Sequence, residues 1–303
     1  MATGITEIVF NIKNKNLRKR EFRMEKVKLN NGIEIPNVGI GTFMLTPEQA
    51  ENSVINSLKD GYRLIDTANA YENEKAVGRG IKASGVNRED IFVSTKLWPS
   101  VYEDDTAVDK TLERLGLDFI DLLFIHQPTS NWKAGYRQLE KAYREGKIKS
   151  IGISNFENEI EELLEFAEIK PQVIQVEAHP YFTQEELRKI TDKYDIKLMS
   201  WYPLGHGDKA LIEESIFAEL GKKYNKSSVQ IILKWHTQMG FLVIPGASNP
   251  EHIKQNIDIF DFELTDEDME KIAEINKNKR YYIRTDEQLV QFASWMPNLD
   301  NQE

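Results

Sequence analysis

Apolar and polar positions alternate between two periods along this chain. Short β-branched or apolar runs fall at Val38–Thr42, Arg63–Asp66, Ile91–Lys96, Leu122–His126, Ser150–Ser154, Val173–Glu177, Lys197–Trp201 and Leu242–Pro245. Each is followed by a longer stretch with helical spacing. Start signals stand where helices are due: Thr46-Pro47-Glu48, Thr183-Gln184-Glu185-Glu186 with capping-box spacing, and Asn249-Pro250-Glu251. Eight strands alternating with about as many helices predict a parallel sheet covered on both faces. Closed, such a sheet is a (β/α)8 barrel; open, it is doubly wound. Periodicity alone does not choose between them.

Two pieces lie outside the repeat. Lys26–Pro36 (KVKLNNGIEIP) alternates around Asn31-Gly32, which predicts a β-hairpin able to plug one barrel end. Asp208–Tyr224 inserts helical spacing between the seventh strand and its helix, one of two extra helical segments expected. No Pro/Ser-rich linker divides the chain, and its 303 residues suit one α/β barrel, a fold that runs to about 250 residues or more. Residues 24–303 are therefore expected to form a single domain. Residues 1–23 carry Lys13, Lys15, Arg18, Lys19, Arg20 and Arg23 against Glu7 and Glu21, with little apolar material, and are expected to be a mobile extension.

Composition narrows the function. The net charge of −10 argues against a nucleic-acid binder. No apolar run is long enough for a bilayer span, and no signal-peptide pattern opens the chain, so a cytoplasmic protein is expected. The absence of cysteine excludes disulfides, thiolate nucleophiles and Cys-ligated metals. The five histidines show no ligand spacing, so no metal is expected.

Chemistry concentrates at the strand ends. In parallel α/β architectures, sites gather at the C-terminal ends of strands. Here those ends read Asp66, Lys96, His126, Ser154-Asn155, Gln175 with Glu177, and Trp201. Any one of them has a bland explanation as a cap or a solvated loop residue. As neighbours in a parallel sheet, they would converge on one mouth. Tyr71 follows Asp66 by five residues. A phenol has an ordinary pKa of about 10, too high for efficient proton donation at neutral pH. A buried Lys96 would lower it, Asp66 would hold the lysine charged, and His126 would orient a carbonyl oxygen. The competing reading is a structural Lys96–Asp66 ion pair beside a core histidine. Carbonyl reduction also needs a hydride, which no side chain supplies. The sequence has no G-x-G-x-x-G, no P-loop, no nucleophile elbow and no H-E-x-x-H. A nicotinamide coenzyme would therefore be bound without the usual dinucleotide fingerprint.

Four segments carry a resemblance: GYRLIDTANAYENEKAVG (Gly61–Gly78), the Lys-Leu-Trp ending at Trp98, KIKSIGISNF (Lys147–Phe156) and VIPGASNPEHIKQN (Val243–Asn256). In order and in kind, they resemble the aldo-keto reductases, of the bacterial diketogluconate and glyoxal reductase type. The resemblance implies a (β/α)8 barrel binding NADP(H) or NAD(H) across its mouth and reducing aldehydes or ketones. It makes Tyr71 the general acid, Lys96 and Asp66 its support, and His126 the group that orients the carbonyl. Ser154, Asn155 and Gln175 would bind the carboxamide and Trp201 would stack on the nicotinamide. Pro203, Leu204 and Gly205, with Gly246, Ala247, Ser248, His252 and Asn256, would cradle the rest of the coenzyme; Thr42 is a further expected contact. Trp98, His126, Gln127, Trp295 and Met296 would line the substrate pocket.

Three departures from that pattern stand out. Gly246-Ala247 replaces a common Lys-Ser, and His252 replaces a common Arg that grips the 2′-phosphate, so the preference for NADP(H) is expected to be weak. Gln127 stands where a Trp often follows the active-site histidine. The expected partner is a small carbonyl compound, dicarbonyl or sugar-derived, met by a monomer, with a weak oligomer as the alternative. The alternative from another class is a nicotinamide-binding barrel with a sensor or structural role and little turnover. The pairing of Tyr71 with Lys96 speaks against it, because a pure binder needs neither.

Overall fold

A computed structural model describes residues 24–303, so the extension expected at 1–23 lies outside the described residues. Strands β1 (Lys26–Lys28) and β2 (Glu34–Pro36) form the antiparallel hairpin. Its turn is a three-residue loop: Leu29 N–H donates to Ile33 O at 2.8 Å, Gly32 N–H to Leu29 O at 2.9 Å, and Gly32 takes φ +88°. A side chain there would be strained by that left-handed backbone, which is why glycine closes the turn.

Eight parallel strands follow: β3 (Ile40–Gly41), β4 (Leu64–Asp66), β5 (Phe92–Leu97), β6 (Leu122–Ile125), β7 (Ile151–Ser154), β8 (Val173–Glu177), β9 (Lys197–Trp201) and β10 (Leu242–Val243). Each pairs with its neighbour in sequence order. Val38 bridges Val243 and Gly41 bridges Gly246 in the parallel sense. Gly39 N–H donates to Val243 O at 2.8 Å, and Val243 N–H to Asn37 O at 2.9 Å. The first and last strands are thus joined, and the sheet is a closed barrel rather than an open doubly wound one. At this seam the ladder is interrupted, so β3 and β10 are shorter than Val38–Thr42 and Leu242–Pro245.

Eight helices surround the barrel: Pro47–Lys59, Glu74–Ser84, Ala107–Leu115, Trp132–Arg144, Ile160–Phe166, Glu185–Thr191, Ser228–Gln238 and Pro250–Ile257. Extra helical material falls in two places. Lys209–Ile212 and Ser215–Tyr224 sit between β9 and its helix, and Asp266–Ala273 and Asp286–Ser294 follow the eighth helix. Thr46 caps the first helix in a full capping box with Gln49, and Asn249 accepts from Glu251 N–H ahead of Pro250. The start expected at Thr183 is different. Gln184 precedes that helix in a left-handed conformation (φ +55°) with no side-chain cap, and Thr183 accepts a hydrogen bond from Asn276 instead. A tertiary partner has taken the hydroxyl that local spacing assigned to the cap.

The barrel interior is filled by Leu64, Phe92, Leu122, Phe124, Val173, Met199, Leu242 and Ile244, closed below by Leu29 and Ile35 of the hairpin. A Cβ on Gly152 would stand 2.3 Å from the Phe124 ring, so this position must stay small for the interior to fill. Asn30 donates to Pro171 O at 3.1 Å and Asn31 to Lys149 O at 3.0 Å, in the segments that lead into β8 and β7. The hairpin therefore plugs the N-terminal end and leaves the C-terminal mouth for chemistry. Among the described residues no helix is long and apolar enough to cross a membrane, and no cluster of three or more His/Cys/Asp/Glu could hold a metal ion.

Candidate active site

Strand geometry brings the polar residues together. Asp66 ends β4, Lys96 lies one residue before the end of β5, and His126 directly follows β6. Ser154 ends β7, Gln175 lies inside β8, Glu177 ends it, and Trp201 ends β9. Lys96 is fully buried, and its ammonium donates to Asp66 Oδ2 at 2.6 Å and to Thr67 O at 2.7 Å. Asp66 Oδ1 accepts from Ser94 at 2.8 Å and from Gln175 Nε2 at 3.1 Å. A buried charge pair holds only with such further partners. Here Asp66, Ser94 and Gln175 come from strands and Thr67 directly follows one, so the geometry is stiff.

Tyr71 closes a single 3-10 turn, Asn69–Tyr71, that follows β4. Lys96 Nζ lies 4.9 Å from its ring centroid, and the His126 ring stands edge-on at 5.8 Å. The turn is held by Asn73, whose amide donates to Thr42 O at 3.0 Å and Leu45 O at 3.1 Å while its oxygen accepts from Thr67 at 3.0 Å. Next to it, buried Glu74 accepts from Thr95 and Arg114, each at 2.7 Å. Neither Asn73 nor Glu74 was expected from sequence. Their partners lie in other loops and strands, and no local spacing announces them.

Burial governs the ionisation of this corner. It pushes the Tyr71 phenol well above its ordinary value, with the Asp66 and Tyr202 charges acting in the same direction. The lowering expected from Lys96 does not appear, because burial outweighs it and the Asp66 carboxylate at 2.6 Å offsets that charge. Burial likewise pushes Lys96 down, opposed by Asp66 and Glu74. His126 is held well below its ordinary value, first by burial and then by the Lys96 charge. At neutral pH the corner thus presents a protonated phenol, a buried cation and a neutral imidazole.

The coenzyme candidates occupy the other half of the mouth. Asn155 N–H donates to Gln175 O at 3.0 Å, and Asn155 Oδ1 accepts from Trp201 Nε1 at 3.1 Å. Asn155 Nδ2 reaches Ser154 Oγ at 3.3 Å and His126 O at 3.4 Å, both long contacts. Hydroxyl and amide groups held this loosely suit a carboxamide, which offers both a donor and an acceptor. The Thr42 hydroxyl, expected on the coenzyme, sits between Asp66 O and Asn73. Pro203, Leu204 and Gly205 form a turn in which Gly205 takes φ +59°. Gly246, Ser248 and His252 are exposed, Ala247 is half-buried and Asn256 is buried, at the start and along one face of the helix Pro250–Ile257. Backbone N–H groups at such a helix start favour phosphate. The donor set therefore fits a nicotinamide dinucleotide, with the amide end at Ser154–Gln175 and the phosphate end at Gly246–His252.

An aromatic wall flanks the acid corner. Phe43 lies 5.0 Å from the Tyr71 ring, and Trp98 meets His126 edge-on at 5.0 Å and Trp295 at 4.9 Å. Trp98 Nε1 donates to Trp295 O at 3.2 Å, tying the C-terminal segment to β5. Phe43, Trp295 and Met296 remain largely exposed. Gln127 is buried, its Oε1 has no protein donor, and its backbone N–H and C=O both meet the Tyr102 hydroxyl at 2.9 Å.

Comparison with known proteins agrees with this geometry. Residues 37–277 match the Aldo/keto reductase family. A glyoxal reductase of Bacillus subtilis is 46% identical over 271 residues, covering 88% of this chain and 98% of that protein. An aldo/keto reductase from Brucella melitensis superposes with a TM-score of 0.80 at 41% identity, over 84% of this chain and 100% of that one. A Bombyx mori aldo-keto reductase solved in complex with NADP gives a TM-score of 0.82 at 33% identity, over 88% of this chain and 97% of that one. The chain belongs to the aldo/keto reductase family and is an NAD(P)H-dependent oxidoreductase.

Proposed function

We propose that this protein reduces small carbonyl compounds, dicarbonyl or sugar-derived, to alcohols, with Tyr71 giving the proton. The observation that carries this reading is the Lys96–Asp66 pair, with its ammonium 4.9 Å from the Tyr71 ring centroid and the His126 ring edge-on to that ring at 5.8 Å. Bound nicotinamide would supply the hydride. The protein's own residues do the rest. His126, neutral because it is buried, hydrogen-bonds the carbonyl oxygen and fixes its approach without being the acid. Tyr71 holds its proton at neutral pH and releases it to the oxygen as negative charge develops there. The phenolate left behind lies beside the Lys96 ammonium, which stabilises it in a site of low dielectric. Asp66 keeps that ammonium charged. Ser154, Asn155 and Gln175 fix the carboxamide, so that one face of the ring is turned to the substrate, and Trp201 stacks on the other.

Similarity to a glyoxal reductase supports a small dicarbonyl as substrate. Gln127, with its unpartnered oxygen, supports a substrate that also bears a hydroxyl. The test is a panel of glyoxal, methylglyoxal, glyceraldehyde and aromatic aldehydes, run with NADH and NADPH side by side. Coenzyme consumption is expected with at least the dicarbonyls. Consumption with none of them overturns the proposal and favours a binding role.

A further inference from the structure

The segment between the helices Asp266–Ala273 and Asp286–Ser294 crosses the coenzyme half of the mouth and is fastened along its length. Tyr281 and Tyr282 N–H donate to the two Glu177 oxygens at 2.6 and 3.1 Å. Arg280 pairs with Glu157 at 3.0 Å. The Tyr282 ring stands edge-on to Trp201 at 5.8 Å, and the buried Tyr282 hydroxyl has no protein partner. At its end Arg284, nearly buried, forms a fork. One nitrogen donates to the backbone oxygen of Asn155 and another to Glu159 Oε1 at 2.6 Å.

Asn155 is an unusual anchor. Its backbone is left-handed, φ +64°, in a residue that is not glycine, a conformation that persists only where its surroundings hold it. Its side chain links Trp201 Nε1 to the His126 carbonyl and the Ser154 hydroxyl. One residue thus sets both the stacking aromatic and the amide-binding groups. Its carbonyl is gripped from outside the barrel sheet by Arg284, whose second arm is fixed on Glu159, the residue that precedes the helix Ile160–Phe166. We propose that Arg284 is a positioning residue for the coenzyme: it holds Asn155 in its left-handed conformation and so keeps the nicotinamide site formed before coenzyme arrives. This rests on the reductase reading above, because it needs Ser154, Asn155 and Trp201 to meet the nicotinamide. A site that is already formed binds more tightly, since no ordering cost is met on binding.

The alternative role for Arg284 is to anchor the C-terminal helix, which carries Phe292 and Trp295 to the aromatic wall. The two roles separate by readout. Coenzyme Kd is measured by fluorescence titration of NADH and NADPH, and carbonyl KM at saturating coenzyme, in wild type, Arg284→Met, Arg284→Lys and Glu159→Gln. Positioning predicts that Arg284→Met raises coenzyme Kd at least ~10-fold while carbonyl KM moves less than ~3-fold, and that Arg284→Lys recovers part of the loss. Glu159→Gln, which keeps the arginine but loosens its second arm, is expected to fall between. Asn155→Gly supplies a further check, because glycine adopts the left-handed backbone unaided. In that background Arg284→Met should cost little more, a non-additivity that marks action through Asn155. A coenzyme Kd within ~2-fold of wild type in both Arg284→Met and Glu159→Gln, or full additivity with Asn155→Gly, overturns the proposal. Should Arg284→Met fail to fold, Arg284→Lys and Glu159→Gln carry the same comparison. Wild-type protein that binds neither coenzyme would instead overturn the reductase reading.

Discussion

Two corners of one barrel mouth are built by opposite rules. At the Asp66–Lys96–Tyr71–His126 corner the Asp66 and Lys96 side chains are withdrawn from water, and strands supply most of their partners. At the Gly246–His252 corner the side chains are exposed and sit on a loop and a helix start. Burial at the first corner decides which groups carry protons, so small geometric changes there act on the reaction itself. At the second corner solvent screens the charges, so substitutions tune a choice between ligands and leave the chemistry alone.

The largest effect expected from this contrast is at the proton. Tyr71→Phe should leave coenzyme binding nearly intact and lower kcat for carbonyl reduction by at least ~10²-fold, the low end for general acid catalysis. Lys96→Met should do comparable damage, since the phenolate would then form without a neighbouring cation. Stopped-flow reduction of methylglyoxal checks both. A Phe variant reducing carbonyls at near wild-type rate would remove Tyr71 from its role.

Burial should also make the barrel acid-sensitive, at His236 outside both corners as well as at His126. His236, buried between Ile232 O and Ala178 O, is pushed down to about 4 by burial, and His126 is lowered too. A histidine whose folded pKa lies below its unfolded value of about 6.5 stabilises the fold above that value. That stability is lost as pH falls through the interval towards the folded pKa. Between pH 8 and pH 5, His236 alone should cost about 2 kcal/mol. Urea denaturation at the two pH values measures it, and a flat profile would show that other groups compensate.

The exposed corner should give a smaller effect. With Gly246 and His252 where fixed positive charge is common, NADH should be used with kcat/KM within about tenfold of NADPH, or ~1.4 kcal/mol. Arginine meets a 2′-phosphate with two charge-assisted donors in a planar fork, which an imidazole lacks. His252→Arg should therefore raise NADPH selectivity, read as the ratio of kcat/KM for the two coenzymes. A wild-type preference for NADPH above about a thousandfold would place the selectivity in other residues.

The smallest effect is expected far from both corners. A chain beginning at Met24 should keep its kcat and melt within a few degrees of the full-length protein. Loss of either would show that residues 1–23 contribute to the barrel or its mouth.

The convergence of the strand-end residues was legible because each is the polar end of an apolar run, as in Leu64-Ile65-Asp66 and Leu122 to His126. Closure of the barrel was not legible from period, since it depends on Val38 meeting Val243 across the whole chain. Asn73, Glu74 and Arg284 were missed for the same reason: they act through Thr42 and Leu45, Arg114, and Asn155, and nothing adjacent to them records those partners. Thr183 shows the converse. Its local spacing was right for a cap, yet Asn276 takes the hydroxyl. The pKa expectation for Tyr71 weighed a nearby cation without the burial that raises the phenol, and without the counter-ion that the fold supplies at 2.6 Å.

The seam that closes the barrel also orders its birth. Asn37, Val38 and Gly39 find their partner strand only at Val243, and the first barrel helix is tied to the same region through Ser53 on Ala247 O at 2.7 Å. A nascent chain that has passed β9 but not yet β10 carries a seven-stranded sheet with two open edges, each able to pair with another chain. Domains dominated by such long-range pairing fold slowly and are exposed to aggregation on the way. Synthesis therefore leaves this protein most vulnerable in the interval before residues 242–257 emerge from the ribosome, and a truncation there should yield inclusion bodies rather than a smaller barrel.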